Sequence, residues 1–345
     1  MIFSDNKELR AKLTPALQAC ASPDAAVREK AQHAFAAELT SPIRKAVFDE
    51  SNHAGIFQVD ELAPGAQANY PLDFVKPGDE DNFIAYTIPK QGRLPERHVE
   101  GDEIWIATYR VGNAIDWDIS YMREARFDVV ARALEVYKAG FVRKDNSDAW
   151  RLLMSAAYDR GMIVSASGSA PFTGNTSIVS PPSDGAFVKE LLSRAKTAMM
   201  RGAGGNGNAG KLTDVYLSAE AMEDVRAWGT NQVDEFTRRE ILTAADGSIA
   251  QIYGVRLHPM TEFGQGQEYQ LFLTNTLAAS LPTNTLEWAV GLDLSTNDSF
   301  VQPLREPLVT FEDPALYRQQ RMGIFGWKSQ GFGCLDNRRC LLLAF

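Results

Sequence analysis

The sequence has few cysteines and lacks long apolar runs. It contains three cysteines, Cys20, Cys334 and Cys340, and such an odd, low number is typical of a reducing compartment rather than of a disulfide-stabilised protein. Cys334 and Cys340 flank a turn-like stretch, so a pair across two strands is one reading, and two reduced, buried thiols are the alternative. No stretch approaches the roughly 20 apolar residues needed to span a bilayer, and no basic segment followed by an apolar run marks a signal peptide. We therefore expect no membrane contact.

Positive charge is also scarce. The chain has 35 Lys and Arg against 44 Asp and Glu, a net charge of −9, whereas surfaces that grip nucleic acid carry an excess of Lys and Arg. Enclosing nucleic acid without tight contact stays compatible with this charge. With 45% apolar residues the 345-residue chain can build real cores, and its length favours two domains.

Catalytic and metal-binding motifs are missing. The four histidines, His33, His53, His98 and His258, form no H-E-x-x-H motif and have no C-x-x-C partners, so zinc is unsupported. No G-x-S-x-G elbow occurs. The carboxylate clusters around Asp79–Asp81 and Glu100–Glu103 are expected to be solvated loop charge. We predict no catalytic, cofactor-binding or metal-binding residue and no enzyme activity.

One glycine-rich stretch matches the sequence motifs of nucleotide-binding sites. Gly202–Gly207 matches G-x-G-x-x-G, and Gly205–Lys211 matches G-x-x-x-x-G-K. Both motifs bind phosphate only when a strand precedes the loop and a helix follows it, because the helix N-terminus supplies the free amides. Here a helix is predicted before the loop and a strand after it, and Leu212 replaces the magnesium-binding hydroxyl. A flexible loop is therefore predicted, and a nucleotide-binding α/β enzyme is the rival interpretation.

Two N-terminal segments have little to bury. Residues 5–50 are predicted to be helical with one break, after which Ser22 caps the second helix, and the apolar stripe is thin and rich in alanine. Such helices are marginal alone, so we expect them to need a partner surface. Residues 69–88 alternate like a β-hairpin, and an isolated two-stranded ribbon is not stable in water. The ribbon must pack on its own chain or on a neighbour.

The rest of the chain mixes helices and strands. The predicted elements are a strand at 104–111, helices at 120–138 (ended by Gly140) and 147–159, a loop at 161–183, a helix after Asp184, a strand at 215–217, a helix capped by Ser218, and strands at 249–260, 269–274 and 286–294. The last 50 residues are strand-like, and the apolar end, Arg339–Phe345, is expected to be docked rather than frayed.

The order of these parts resembles the Hong Kong-97-type fold of tailed-bacteriophage major capsid proteins. Three stretches are similar to that family as well: Thr213–Val225 to the axial-domain strand and helix, Ile249–Leu257 to a recurrent strand of that domain, and Gly331–Arg339 to the closing peripheral hairpin. The resemblance implies an α+β fold with an N-terminal arm (1–60), an extended β-hairpin E-loop (61–103), a peripheral domain with a long spine helix (104–183 and 296–345) and an inserted axial domain (184–295).

The resemblance also implies a function. Family members are structural subunits of icosahedral viral capsids, which assemble into pentamers and hexamers and enclose double-stranded DNA without sequence-specific contact. Their partners are other copies, with scaffolding, portal and decoration proteins, and the shell is assembled in the host cytoplasm. Some members join subunits through a Lys and an Asn, for which Lys90 and Asn337 are of the right type. An encapsulin-like compartment that encloses cargo enzymes is the alternative.

Overall fold

A computed structural model describes Pro15 and residues 17–71, 103–124, 127–159, 163–165, 178–179, 185–202, 210–228, 249–279, 285–296 and 298–345. The helices of these residues are α1 (Ala25–Asp49), α2 (Ile119–Arg123), α3 (Phe127–Asp159), α4 (Lys189–Gly202), α5 (Ala219–Ala227) and α6 (Glu268–Leu271), which continues as a π-helical turn (Phe272–Thr276). Short 3₁₀ helices occupy Pro314–Gln319 and Asn337–Arg339.

The strands are β1 (Gln58–Glu61), β2 (Asn69–Pro71), β3 (Glu103–Trp105), β4 (Tyr109–Asp118), β5 (Ile163–Ser165), β6 (Ile178–Val179), β7 (Asp214–Leu217), β8 (Ile249–Ile252), β9 (Val255–Pro259), β10 (Trp288–Leu292), β11 (Phe300–Glu312), β12 (Arg321–Gln330), β13 (Gly333–Cys334) and β14 (Cys340–Ala344). The predicted mixture of helix and strand is thereby confirmed.

The described residues form two compact units, each made of several chain segments. Unit 1 contains the residues up to Ala68, Trp105–Ala149 and Gln302–Gly333. Unit 2 contains the described residues of Asn69–Ile104, Trp150–Val301 and Cys334–Phe345. The chain therefore passes from one unit to the other several times, and the predicted division into arm, E-loop, peripheral and axial domains stays a prediction.

Unit 1 is a sheet with helices packed on one face. Its main strand order is β1-β11-β12-β4, and β12 pairs with β4 over the full length from Arg321↔Asp118 to Gln330↔Tyr109. Side chains on one face, such as Met322 and Ile324, are buried in the core of this unit. Because alternate residues of a strand point to opposite faces, Phe325 and Trp327 lie on the other face.

Helix α1 packs on its own chain. Phe35, Leu39, Ile43 and Val47 recur at helical spacing and are buried in the core of unit 1. Thr310 of β11 donates from Oγ1 to the Ala36 carbonyl at 2.8 Å. Within its own chain, helix α1 therefore has the partner surface that the sequence predicted, on strand β11, where Thr310 lies 274 residues after Ala36.

The start of α1 also differs from the prediction. The helix begins at Ala25, and the Asp24 carboxylate accepts a hydrogen bond from the Ala26 amide at 3.0 Å. Asp24 thus caps the helix, and Ser22 instead accepts from the Asp24 amide at 3.3 Å.

Helix α3 is a single helix of 33 residues, where two helices separated at Gly140 were predicted. Gly140 lies inside the helix, and a Cβ atom there would be 2.6 Å from Nδ2 of Asn113. That amide donates to the Tyr137 carbonyl at 3.0 Å. Gly140 is therefore a close-approach residue between α3 and β4 rather than a C-cap.

Unit 2 contains a seven-stranded mixed sheet of order β6-β5-β14-β10-β7-β9-β8. Strand β14 lies inside it, parallel to β5 and antiparallel to β10, and its side chains are all buried. The expectation of a docked C-terminal strand is confirmed. It lies in the same sheet as β7, whereas the sequence placed residues 296–345 in the peripheral domain and β7 in the axial domain; that division stays a prediction.

Three further local predictions are corrected. The 161–183 stretch, predicted as loop, contains β5 and β6. The single strand predicted at 249–260 is the hairpin β8–β9. The strand predicted at 269–274 is helical, since it contains α6 and the π-helical turn. The helix cap at Ser218 is confirmed, because its Oγ accepts from the Ala221 amide at 3.1 Å.

Candidate assembly surfaces

Strand β2 lies within the predicted E-loop, and it pairs with β3 at the end of that loop. Ile106, just after β3, is buried and donates its amide to the Ala68 carbonyl at 3.0 Å. Two glycines leave room for Ile106 and Ala107. A Cβ on Gly331 would lie 2.7 Å from the Ala107 carbonyl oxygen, and one on Gly333 would overlap Ile106. Beside this anchor, Trp105 is 64% exposed. Residues 72–102, with Lys90 and the cluster at 79–81, lie outside the described residues.

A buried polar cluster fixes the middle of α3 within unit 1. Asp145 forms an ion pair with Lys328 of β12 and accepts from Gln330 Nε2 at 2.7 Å. Burial lowers the pKa of Lys328, while Asp145 opposes that shift. Gln330 in turn accepts from Gln302 Nε2 at 3.1 Å. These contacts set the position of α3 on the sheet, because a buried ion left without its partner is strongly unfavourable.

His53 extends this cluster. Its Nδ1 lies 3.0 Å from Oδ1 of Asn146, and its ring packs edge-on against Phe332 with centroids 5.4 Å apart. Burial lowers the pKa of His53; the Asn146 hydrogen bond and the Asp145 charge oppose this, and Lys328 adds to it. A neutral imidazole is therefore built into the core of unit 1.

Unit 2 carries two charged clusters of its own. Asp214 accepts from His258 Nε2 at 2.7 Å and from Nε and Nη2 of Arg256, each at 2.9 Å. Burial alone would raise the pKa of Asp214, but hydrogen bonds from His258, Thr213 and Arg256 lower it. Asp293 forms an ion pair with Arg339 and accepts from the Lys211 amide at 2.8 Å. Both clusters cross-link strands or loops of the seven-stranded sheet.

An acidic depression of about 380 Å³ lies beside α5 in unit 2. Glu220, Asp224 and Glu287 line it, and Ser218 donates to Oε2 of Glu287 at 2.5 Å. Burial raises the pKa of Glu287, the neighbouring carboxylates add to this, and the Ser218 bond opposes it. Glu287 thus gives unit 2 a carboxyl group that resists ionisation.

Exposed apolar side chains occur on both units. On unit 1, the exposed Phe311 stacks with the half-buried Phe325 and Trp327 on the sheet face opposite α1, with the Phe311 and Trp327 ring centroids 4.7 Å apart. On unit 2, Met200 and Tyr253 are 54% and 52% exposed. Such side chains are enriched where proteins contact one another.

The metal, nucleotide and membrane motifs considered in the sequence can be compared with the described residues. Within them, no three His, Cys, Asp or Glu side chains are placed to hold a metal ion. Helix α4 precedes the glycine-rich loop and β7 follows it, which is the order predicted from sequence, while residues 203–209 lie outside the described ranges. No helix in the described part of the chain is both long and apolar enough to cross a membrane.

The alternative of reduced thiols for Cys334 and Cys340 is confirmed, although Cys334 is only half-buried. All three thiols are free, and burial raises the pKa of Cys20 to about 12, which keeps that thiol unreactive. His33 and Asn337 are exposed.

Comparison with solved structures identifies the fold. A chain from the capsid structure of cyanophage P-SCSP1u matches with a TM-score of 0.57 at 12% identity, over 84% of this chain and 86% of the other. The chain has the Hong Kong-97-type capsid fold. Chains from Microbacterium phage Oxtober96 (TM-score 0.56, 9% identity, 86% and 90% coverage) and Mycobacterium phage Bobi (0.51, 11%, 85% and 90%) match as well. No protein-family model and no curated protein matches the sequence.

Sequence patterns did not reveal the buried polar cluster around Asp145. Asp145 follows Tyr137 and Phe141 at four-residue steps, so it lies on the buried face of α3. A polar residue on an apolar helical stripe was the available signal, but the sequence analysis ended the helix at Gly140 and left Asp145 outside both predicted helices. Its partners, Lys328 and Gln330, lie on a strand 183 and 185 residues away.

Proposed function

We propose that this chain is the structural subunit of an icosahedral tailed-phage capsid, which assembles into pentamers and hexamers and encloses double-stranded DNA. The observation that carries the proposal is the match to a phage capsid structure over 84% of this chain and 86% of the other. A match to one unit alone would also fit a protein of another class that shares a single domain with capsid proteins. The observed match spans both units.

The parts of the subunit follow from the two units. We assign the peripheral domain to unit 1, with α3 as the spine helix, and the axial domain to unit 2. This moves residues 150–183, 296–301 and 334–345 out of the peripheral domain predicted from the sequence, so that only the part of α3 up to Ala149 lies in unit 1. Residues up to 60 remain the N-terminal arm, although α1 lies on its own subunit, and residues 61–103 remain the E-loop.

The proposal includes partners. Copies of the chain contact one another, and scaffolding, portal and decoration proteins join the particle. The enclosed DNA is held without base-specific contacts, which is consistent with the net charge of −9. The assembled chain resides in the virion after assembly in the host cytoplasm, and its work is assembly rather than bond chemistry.

Sedimentation of the purified full chain tests the proposal. We expect particles in the megadalton range, because a closed shell multiplies many modest contacts. A species that stays at 38.1 kDa at high concentration, with or without the other structural proteins of its virus, would contradict it. Nuclease treatment of native particles then separates the alternatives: protected DNA supports a virus, whereas enclosed enzymes without DNA would support a compartment.

A further inference from the structure

A strained tyrosine forms the tip of the β8–β9 hairpin in unit 2. Ile252 and Val255 pair directly, so Tyr253 and Gly254 form a two-residue turn. Both have positive φ, 53° and 76°, as a type I′ turn requires. Asn-Gly is the preferred sequence for such a turn, and a bulky residue at positive φ is a rare, unfavourable choice. Local folding therefore gives no reason for tyrosine at this position.

The tyrosine ring is not used by its own unit. It is 52% exposed, and none of the ring contacts found among the described residues involves it. The hydrogen bond that the described residues give Tyr253 is to its backbone, because Lys196 of α4 donates from Nζ to the Tyr253 carbonyl at 2.6 Å. Strain that folding does not need is found where a residue serves another purpose.

The turn belongs to a wider surface. Lys196 and Met200 are four residues apart on α4 and so lie on one face of the helix, and Met200 is 54% exposed. We call Tyr253, Lys196 and Met200 the tip patch. Exposed aromatic rings and flexible thioethers are both typical of protein contact surfaces. Lys196 gives the patch a positive charge, and none of its three members is acidic.

We propose that the tip patch is a contact between neighbouring copies of this chain. This inference rests on the proposed capsid function and names one of its subunit interfaces. The positive patch complements a second copy, since each copy carries 44 acidic and 35 basic residues. Rings of identical subunits need head-to-tail contacts between two different surfaces, and a projecting hairpin tip supplies one of them.

Tyr253→Asn is the decisive variant, because it removes the ring and supplies the residue that the turn prefers. We expect the unfolding midpoint of the unassembled chain to stay or rise, while the threshold concentration for assembly rises by at least about tenfold. Tyr253→Phe keeps the ring and should assemble near the wild-type threshold. Gln320→Gly is the matched control, since it relieves the positive φ of 56° at Gln320 in unit 1 without removing a ring, and it should not change the threshold.

Several outcomes would overturn the inference. Assembly of Tyr253→Asn at the wild-type threshold would do so, and so would an equal loss in Gln320→Gly. If Tyr253→Asn fails to fold, hydroxyl-radical labelling of wild-type Tyr253 decides: protection in particles relative to free subunits supports the contact, and equal labelling refutes it. Wild-type chain that never forms particles refutes the capsid function itself, and the inference falls with it.

Discussion

The two units solve the packing of their cores differently. In unit 2 the core is closed by apolar strands, and Leu341, Leu343 and Trp288 are fully buried. Both units also bury an ion pair, but in different places. In unit 1 the pair Asp145–Lys328 joins helix α3 to the sheet, whereas in unit 2 the pair Asp293–Arg339 joins residues next to the neighbouring strands β10 and β14. The difference teaches that the buried charges of unit 1 fix where a helix lies on a sheet, whereas those of unit 2 link parts of one sheet.

The sharpest contrast comes from matched leucines. Leu341→Ala should lower the free energy of unfolding by about 4 kcal/mol, and Leu39→Ala by about 3 kcal/mol, because deleting buried methyl groups leaves a cavity. Hydrogen exchange should place the loss in unit 2 for the first and in unit 1 for the second. An unchanged stability for Leu39→Ala would show that α1 is not held by its own subunit.

The buried ion pair gives the next effect. Asp145→Ala leaves Lys328 buried without its partner and should cost about 3 kcal/mol. The double variant Asp145→Leu/Lys328→Met, which replaces both charges by apolar groups, should be more stable than the single variant by chemical denaturation. A double variant as unstable as the single one would show that the pair is more than a positioning device.

Gly140 tests the close contact between α3 and β4. In an exposed helix interior, Gly→Ala stabilises by up to about 1 kcal/mol, but here the new methyl group would collide with Asn113. Gly140→Ala should therefore lower thermal stability by about 1 kcal/mol. Adding Asn113→Ala should relieve the clash, and a stabilised single variant would contradict the close approach.

The smallest effect is a pair of opposite pH dependences. The pKa of His53 is lowered from 6.5, so the unfolded chain binds the proton first and unit 1 loses stability as pH falls below about 6.5. The pKa of Glu287 is raised from 4.5, so unit 2 loses stability as pH rises above that value. His53→Gln should remove the first slope and Glu287→Gln the second, measured by unfolding between pH 4.5 and 7.5. Slopes of the same sign would contradict the contrast.

Sequence patterns located the elements whose signals are local in sequence. Ser218, Val215–Leu217 and the buried C-terminal strand follow from caps and apolar runs that are local in sequence. The continuity of α3 depends on Asn113 and Lys328, which no local pattern reveals. The β8–β9 turn was not predicted, because Tyr253-Gly254 stands where the usual Asn-Gly signal would be.

The helix at α6 was missed because its period is disturbed. Tyr269 and Leu273 are buried four residues apart while Leu271 is exposed, which is helical spacing. The following π-helical turn widens the period, and the short apolar run then resembles a strand. The candidate assembly residues could not be predicted, since exposure depends on what the rest of the chain leaves uncovered.

A cryo-electron microscopy reconstruction of particles formed by the full chain tests the capsid assignment most directly. It should show a closed icosahedral shell of five- and six-fold rings, in which α1 covers the sheet of its own subunit and Tyr253 touches a neighbour. Open aggregates without symmetry, or only isolated subunits, would contradict it.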